Sequence, residues 1–251
     1  MSVLKLPESL EREPLVEAIC EIRMVSGTPI ADILPGVLFQ QMHPKPILTR
    51  LPVSNIPMPI RTSDPSLQYA PMHKLDIGEY YISIGDRSVI IGCKRPYQKW
   101  TPFKQKIFET VNMIAGVGIA GSVERFSIKY VNIIEAETTA EQIEKVNLTL
   151  RVGELQVKDD DIQLKINHQE GEANHIITIA TSAILTLPGE KKNIGILVDI
   201  DSIRDLSPMP FKTFAEWWED ELEQLRQSNK KYFFDCLAQE TLSEMGPTYA
   251  S

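Results

Sequence analysis

Three glycines, Gly116, Gly118 and Gly121, form a G-x-G-x-x-G pattern, which raises the question of dinucleotide binding. A dinucleotide fingerprint needs a strand before the glycines and a helix after them, because the amino end of that helix holds the pyrophosphate. Here the flanking sequence predicts the reverse order, a helix before Gly116 and a strand after Gly121. The pattern therefore predicts the end of a helix followed by a turn, and we expect no nucleotide cofactor.

Two pairs of side chains could begin a metal site. Asp199 and Asp201 alternate in a predicted strand and therefore share one face, where paired carboxylates could hold Mg²⁺. His168 and His175 flank a turn near Gly171 and are expected to face each other across a hairpin. Two ligands are too few for zinc, and for the aspartates we favour a solvated strand end.

Residues 87–108 carry six basic side chains and no acidic one, with aromatic residues between them. Lysine and arginine neutralise phosphates, and aromatic rings stack on bases, so this segment is a candidate for nucleic-acid binding. The net charge of −8 disfavours that function and favours a solvated rim around the start of a helix. The candidate binding residues of the segment are Lys94, Arg95, Lys99 and Trp100.

Charged side chains also follow one face of two separate predicted strands. Glu21 and Arg23 lie on the first strand, and Arg125 and Lys129 lie on the second. If the two strands are neighbours, these residues should form ion pairs across them. Such a face is either a solvent-facing ladder or the lining of a cleft on a curved sheet, and the sequence supports both interpretations.

The elements that position these residues follow from the hydrophobic periodicity. In the first half it predicts a strand over 14–24, a hairpin over 75–95 and a helix over 101–116. Residues 44–71 contain seven of the 17 prolines, which predicts an irregular connection with pieces of edge strand.

In the second half, Pro188-Gly189 marks a turn between strands, and Thr213-x-x-Glu216 is a capping box that predicts the start of a long C-terminal helix. The predicted strands are 123–136, 146–153, 161–168, 174–187 and 193–201. Strands followed by a helix indicate an α+β fold, a largely antiparallel curved sheet with both long helices packed on one face.

The length of 251 residues fits a single domain over 1–251, and a coarse echo between 14–122 and 123–240 suggests two similar halves. Three scattered cysteines and the absence of an apolar leader or a stretch of about 20 apolar residues predict a cytoplasmic protein without membrane contact.

The predicted C-terminal helix carries aromatic residues on more than one face, including Trp217, Trp218 and Tyr232. A single packing face would cover only part of this set. We therefore expect a homodimer or a complex with another protein, with Trp217 among the contacting residues.

The segments Pro14–Arg23 and Arg125–Ile134 resemble those of a scattered family of uncharacterised bacterial proteins of about 250 residues. Its members open with a Pro-Leu-Val-Glu strand that ends in Glu-hydrophobic-Arg, and a later strand has the form Arg-x-x-x-(Arg/Lys)-Tyr-Val-Asn. Lys129 stands here where arginine is usual, and the C-terminal helix lacks the usual histidine. The resemblance implies no particular activity, and the patchy distribution of the family is similar to that of accessory or defence genes.

Together these observations predict a non-enzymatic bacterial binding protein that contacts another protein through its charged strand face and its aromatic helix. Two alternatives stay open at this point. One is a nucleic-acid binder or nuclease accessory that uses residues 87–108, and the other is a protein that binds a small ligand in the concave sheet.

Overall fold

A computed structural model of the chain describes residues 6–186 and 192–249. The helices are α1 (Leu34–Gln41), α2 (Met58–Ser63), α3 (Trp100–Val117), α4 (Thr139–Glu144), α5 (Phe211–Asp235) and α6 (Gln239–Glu244), with short 3₁₀ turns at Ile30–Asp32 and Pro52–Asn55. The strands are β1 (Ser9–Leu10), β2 (Leu15–Val25), β3 (Ile47–Arg50), β4 (Pro71–Ile77), β5 (Tyr80–Gly85), β6 (Ser88–Lys94), β7 (Ser122–Glu135), β8 (Arg151–Val152), β9 (Leu155–Gln156), β10 (Gln163–Glu170), β11 (Ala173–Leu185), β12 (Asn193–Pro210) and β13 (Pro247–Thr248).

Nine of these strands form one antiparallel sheet in the order β10-β11-β12-β7-β2-β6-β5-β4-β3. The first half of the chain supplies β2 and its neighbours β6, β5 and β4, and the second half supplies β7, β12, β11 and β10 in the same relative order. Strands β2 and β7 therefore meet at the centre of the sheet. The division of the chain into two similar halves stays a prediction.

The helices α3 and α5 pack on one face of this sheet. Alternate residues of β2, such as Cys20 and Ile22, point to that face and are fully buried with Phe103 of α3 and Trp218 of α5. Burial of a large apolar side chain contributes about 1.5–3 kcal/mol, so this layer holds the sheet and the two helices together. The arrangement confirms the predicted α+β class, with an antiparallel sheet and both long helices on one face.

The glycine pattern lies at a junction from helix to strand, as its flanking sequence predicts. Helix α3 ends at Val117, Gly118 follows in the left-handed conformation with φ of 73°, and β7 begins at Ser122. The amino end of a helix is therefore not adjacent to these glycines on their carboxyl side. This order is incompatible with the dinucleotide-binding fingerprint.

Several local predictions differ from the structure. Helix α5 begins at Phe211 after Pro210, so Thr213 and Glu216 do not form its capping box; a capping box does occur at Thr138 and Glu141, before α4. Proline has a fixed φ and can start a helix without a side-chain cap.

The predicted strand over 146–153 is largely irregular and contains only the short β8. A turn at Gly78, with φ of 61°, divides the predicted first arm of the 75–95 hairpin between β4 and β5. The proline-rich segment 44–71 forms the edge strand β3 and the short helix α2. The predicted turn at Pro188-Gly189 lies outside the described residues.

Candidate functional site

The charged residues predicted for two strands, together with the two aspartates, come together on the sheet face opposite α3 and α5. We call this group the charged sheet face. Strand pairing places Arg23 opposite Arg125 and Lys129 opposite Asp201, because β7 lies between β2 and β12. Its members are Glu21, Arg23, Arg125, Lys129, Asp199 and Asp201.

Ion pairs connect these side chains. The guanidinium of Arg23 donates to Glu21 at 2.9 Å, and Arg125 lies 4.0 Å from Glu21 and 3.8 Å from Asp201. The ammonium group of Lys129 lies 2.7 Å from Asp199. The side chains keep between 15% and 32% of their exposure, so the charges are partly desolvated and still reachable from solvent. Of the ion pairs expected between β2 and β7, only Glu21 with Arg125 forms, and Arg125 and Lys129 otherwise pair with the aspartates of β12.

Three buried atoms of the charged sheet face have no hydrogen-bond partner within the described residues: Nε of Arg125 and one carboxylate oxygen each of Asp199 and Asp201. Burial raises the pKa of Asp201, and the nearby cations Arg125 and Lys129 oppose that shift only in part. Buried polar groups without partners are costly, so this cluster is not optimised for the stability of the isolated chain.

The aspartates do not lie in a recognisable metal site. Asp199 and Asp201 face Lys129 and Arg125, whose charges take the place that a cation would have. Across the ranges 6–186 and 192–249, no group of three or more histidine, cysteine or carboxylate side chains is placed to hold a metal ion. Paired hard carboxylates alone would leave Mg²⁺ mostly bound by water.

The predicted pair His168 and His175 does face across the β10–β11 hairpin. His175 is buried and its Nδ1 lies 2.8 Å from the hydroxyl of Ser202, while both histidine rings contact Tyr232. Burial lowers the pKa of His175, which favours the neutral ring. His175 is therefore part of the buried interior under helix α5, whereas His168 is exposed and packs against the Tyr232 ring.

The basic segment 87–108 does not form one basic patch. Its charges lie on different parts of the molecule, and most of them are neutralised by carboxylates from other elements. The pairs between elements are Arg87 with Glu124, Lys94 with Asp76, Lys99 with Glu13, and Lys104 with Glu219 and Glu223, and within α3 Lys106 pairs with Glu109. Arg95 is exposed, and Trp100 donates from its indole to Glu223 at 2.7 Å.

A cavity of ≈ 590 Å³ lies on the helix side of the sheet, near the amino ends of α3 and β2. We call it the helix-side cavity. Its polar lining includes Lys99, Tyr130, Arg226, Asn229 and Lys230, and Trp100 forms part of its wall. Arg226, Asn229 and Lys230 were not predicted as site residues, although their i, i+3, i+4 spacing places them on one face of α5 and could have indicated a site.

The aromatic residues of α5 are mostly used inside the chain. Trp218 and Phe233 are buried, and Tyr232 and Phe234 pack against the second hydrophobic cluster, whereas Trp217 keeps 40% of its exposure. The predicted partner contact on this helix is therefore reduced to the surroundings of Trp217.

If a homodimer forms there, Trp217→Glu should convert it to a monomer, because a buried charge without a partner is costly at an interface. Light scattering of both proteins measures the mass. Two monomers would contradict the dimer prediction.

Within residues 6–186 and 192–249, no helix is both long and apolar enough to cross a bilayer. In the comparisons with known proteins, no family model matches the chain and no curated protein is similar to it in sequence. The resemblance to the scattered bacterial family stays a prediction.

Proposed function

We propose that this chain is a non-enzymatic binding protein that recognises another protein through the charged sheet face. The observation that carries the proposal is a partly desolvated cluster of three cations and three carboxylates on the sheet face away from the helices. A stability role alone gives little reason for such a cluster, because partly exposed ion pairs contribute about 0–1 kcal/mol each.

The balance of charge favours a protein as the partner. The cations Arg23, Arg125 and Lys129 are matched by an equal number of carboxylates, so the face lacks the positive excess that nucleic-acid binding requires. Protein surfaces present both signs of charge and can complement such a pattern. In residues 87–108, most cations also pair with carboxylates of other segments, which again favours a protein over a nucleic acid as the partner.

The exposed parts of these side chains indicate the chemistry of the partner. Arg125 keeps 20% of its side-chain exposure, Asp201 keeps 21% and Asp199 keeps 15%. A partner segment with one carboxylate and nearby lysine, arginine or amide groups would complement these charges. Hydrogen bonds to charged groups contribute about 1.5–3 kcal/mol each, which would favour a specific complex. Within the cell we place the protein among accessory or defence-type components, on the family resemblance.

Arg125→Glu is expected to weaken partner binding by about a hundredfold or more, because it removes a donor and sets a third carboxylate beside Glu21 and Asp201. Proteins retained by the wild-type chain from a lysate of its source organism are identified first. The purified partner is then titrated calorimetrically against wild type and variant.

The matched control is Arg151→Glu, the same substitution in the exposed β8–β9 hairpin, which should leave the affinity unchanged. Arg125→Gln removes the charge more gently, and thermal melting of each variant verifies that it folds. Equal affinities of Arg125→Glu and wild type would exclude the charged sheet face. Salt-sensitive oligonucleotide binding in place of protein binding would replace the proposal with a nucleic-acid function.

A further inference from the structure

We infer that the helix-side cavity binds a small organic anion, a carboxylate or a phosphate, that carries a planar ring. This site is on the opposite face of the sheet from the charged sheet face and does not depend on the function proposed above. The cavity volume of ≈ 590 Å³ lies within the range of about 300–1,000 Å³ that is typical of small-molecule sites.

The cations that line the cavity indicate that the ligand carries a negative charge. Arg226 and Lys230 project from α5 on one face, and Lys99 reaches the cavity from the start of α3. Lys99 lies 2.6 Å from Glu13, and Arg226 lies 3.4 Å from Glu223. Among the described residues no carboxylate lies within 4.0 Å of the Lys230 ammonium group, which has only the carbonyl of Glu8 at 3.4 Å. The carboxylates of Glu8, which lines the cavity, and Glu223 act on Lys230 from a longer distance, so its charge has no direct ion pair and can meet a ligand.

The surroundings of Lys230 support this assignment. Burial lowers its pKa, and the like charge of Arg226 lowers it further, while Glu8 and Glu223 oppose the shift. An anion bound between Lys230 and Arg226 would offset both the burial of the Lys230 charge and its repulsion by Arg226, since opposite charges at short range favour the charged form.

The start of α3 adds a second anion-binding feature. This 18-residue helix has no side-chain cap and no acidic residue in its first turn, and Trp100 and Thr101 of that turn line the cavity. Lys99, directly before the helix, has φ of 68°, an uncommon conformation for a residue other than glycine. Amide groups at a helix amino end attract anions.

A buried polar atom without a partner belongs to a residue that lines the cavity. Asn229 is 1% exposed, and its amide nitrogen donates to the carbonyls of Ile128 and Ile200 and to Ser202. These bonds turn the nitrogen toward the sheet, and the oxygen of the same amide, in a residue that lines the cavity, has no partner within the described residues. The oxygen itself is buried, so a hydroxyl or amine group of the ligand would supply the missing donor only after a small rotation of the Asn229 amide.

The aromatic side chains that line the cavity indicate that the ligand carries a planar ring. Tyr97 and Tyr130 line the cavity with their ring centroids 6.1 Å apart and their hydroxyls 3.4 Å apart, and Trp100, Phe233 and Phe234 also line it. Arg226 already lies 4.9 Å from the centre of the Trp100 ring. Such a lining suits a flat ring that packs against aromatic faces while its acidic group meets the cations.

The test uses phenyl phosphate and benzoate as probes, with inorganic phosphate and phenol as the anion and the ring alone. We expect saturable binding of at least one of the two ring-bearing anions at millimolar concentration in calorimetry, and a change of Trp100 fluorescence that disappears in Trp100→Phe. Phosphate and phenol should bind more weakly. The inference would be overturned if neither ring-bearing anion bound, or if inorganic phosphate bound as tightly as the ring-bearing anions.

The variant Lys230→Gln should weaken the binding of the ring-bearing anion about tenfold to a hundredfold, the effect expected for loss of a charged hydrogen bond. Lys231→Gln is the matched control, because this neighbour is outside the lining and lies 3.9 Å from Glu170. An equal loss in both variants, with both proteins folded by thermal melting, would contradict the assignment of the site.

Discussion

Gly121→Val is expected to destabilise the protein by about 3 kcal/mol or more, the upper range for overpacking of a close contact. A Cβ atom at Gly121 would collide with the carbonyl oxygen of Val25 and lie 2.8 Å from the Cα of Ser26. Both obstacles are backbone, so a side-chain rotation cannot relieve them. The free energy of unfolding from a denaturant titration measures the effect.

The other two glycines of the same pattern provide the controls. Gly116→Ala should stabilise the protein by about 0.5–1 kcal/mol, because Gly116 lies in the last turn of α3 with open space around it. Gly118→Ala should cost about 1 kcal/mol, since φ is 73° there. If the three substitutions had similar effects, the assignment of these glycines to a helix end and to a close backbone contact between β2 and the start of β7 would be wrong.

The glycine pattern could be interpreted from the sequence because local signals lie on both sides of it. The stripe of Phe103, Ile107 and Ile114 predicts a helix that ends near Gly116, and the alternation after Ser122 predicts a strand. Both are local signals that depend on residues a few positions apart. The close approach between Gly121 and Val25 is a contact between distant parts of the chain, and no local pattern contains it.

For the candidate sites too, the sequence predicted the local patterns but not the contacts between distant segments. The alternation of charges in β2 and β7 indicated a charged face on each strand. The placement of Asp201 opposite Lys129 requires β12 to pair with β7, which depends on the packing of the whole sheet. For the same reason, the sequence pattern of residues 87–108 suggests a basic patch, whereas Glu124 and Asp76 from other strands neutralise Arg87 and Lys94.

The helix-side cavity could not be predicted, because it is formed where several separate elements meet. Lys99 comes from the start of α3, Tyr130 from the central strand β7, and Lys230 from α5. Each residue is unremarkable in its own segment. The cavity is lined by the helix side of the sheet, whereas the charges of the charged sheet face point the other way, so one layer of strands could support two sites of different chemistry.

Trp218→Ala is expected to destabilise the protein by about 3–5 kcal/mol, the range for removal of a buried aromatic side chain. Trp218 is 1% exposed and stacks on Phe214 with 5.8 Å between ring centroids, in the layer that joins α5 to the sheet. Its loss would leave a void where the helix contacts β7 and β12. Chemical unfolding monitored by far-ultraviolet circular dichroism measures the change.

The adjacent Trp217 is the matched control, because Trp217→Ala removes the same side chain at 40% exposure and should change stability by less than about 1 kcal/mol. Trp218→Phe should cost much less than Trp218→Ala, since the smaller ring keeps most of the packing and removes an indole N–H that has no partner in the described residues. Similar losses for Trp217→Ala and Trp218→Ala would mean that both tryptophans are buried in solution. In that event the exposed side of α5 would be covered by a second chain, and the dimer prediction would gain its first direct support.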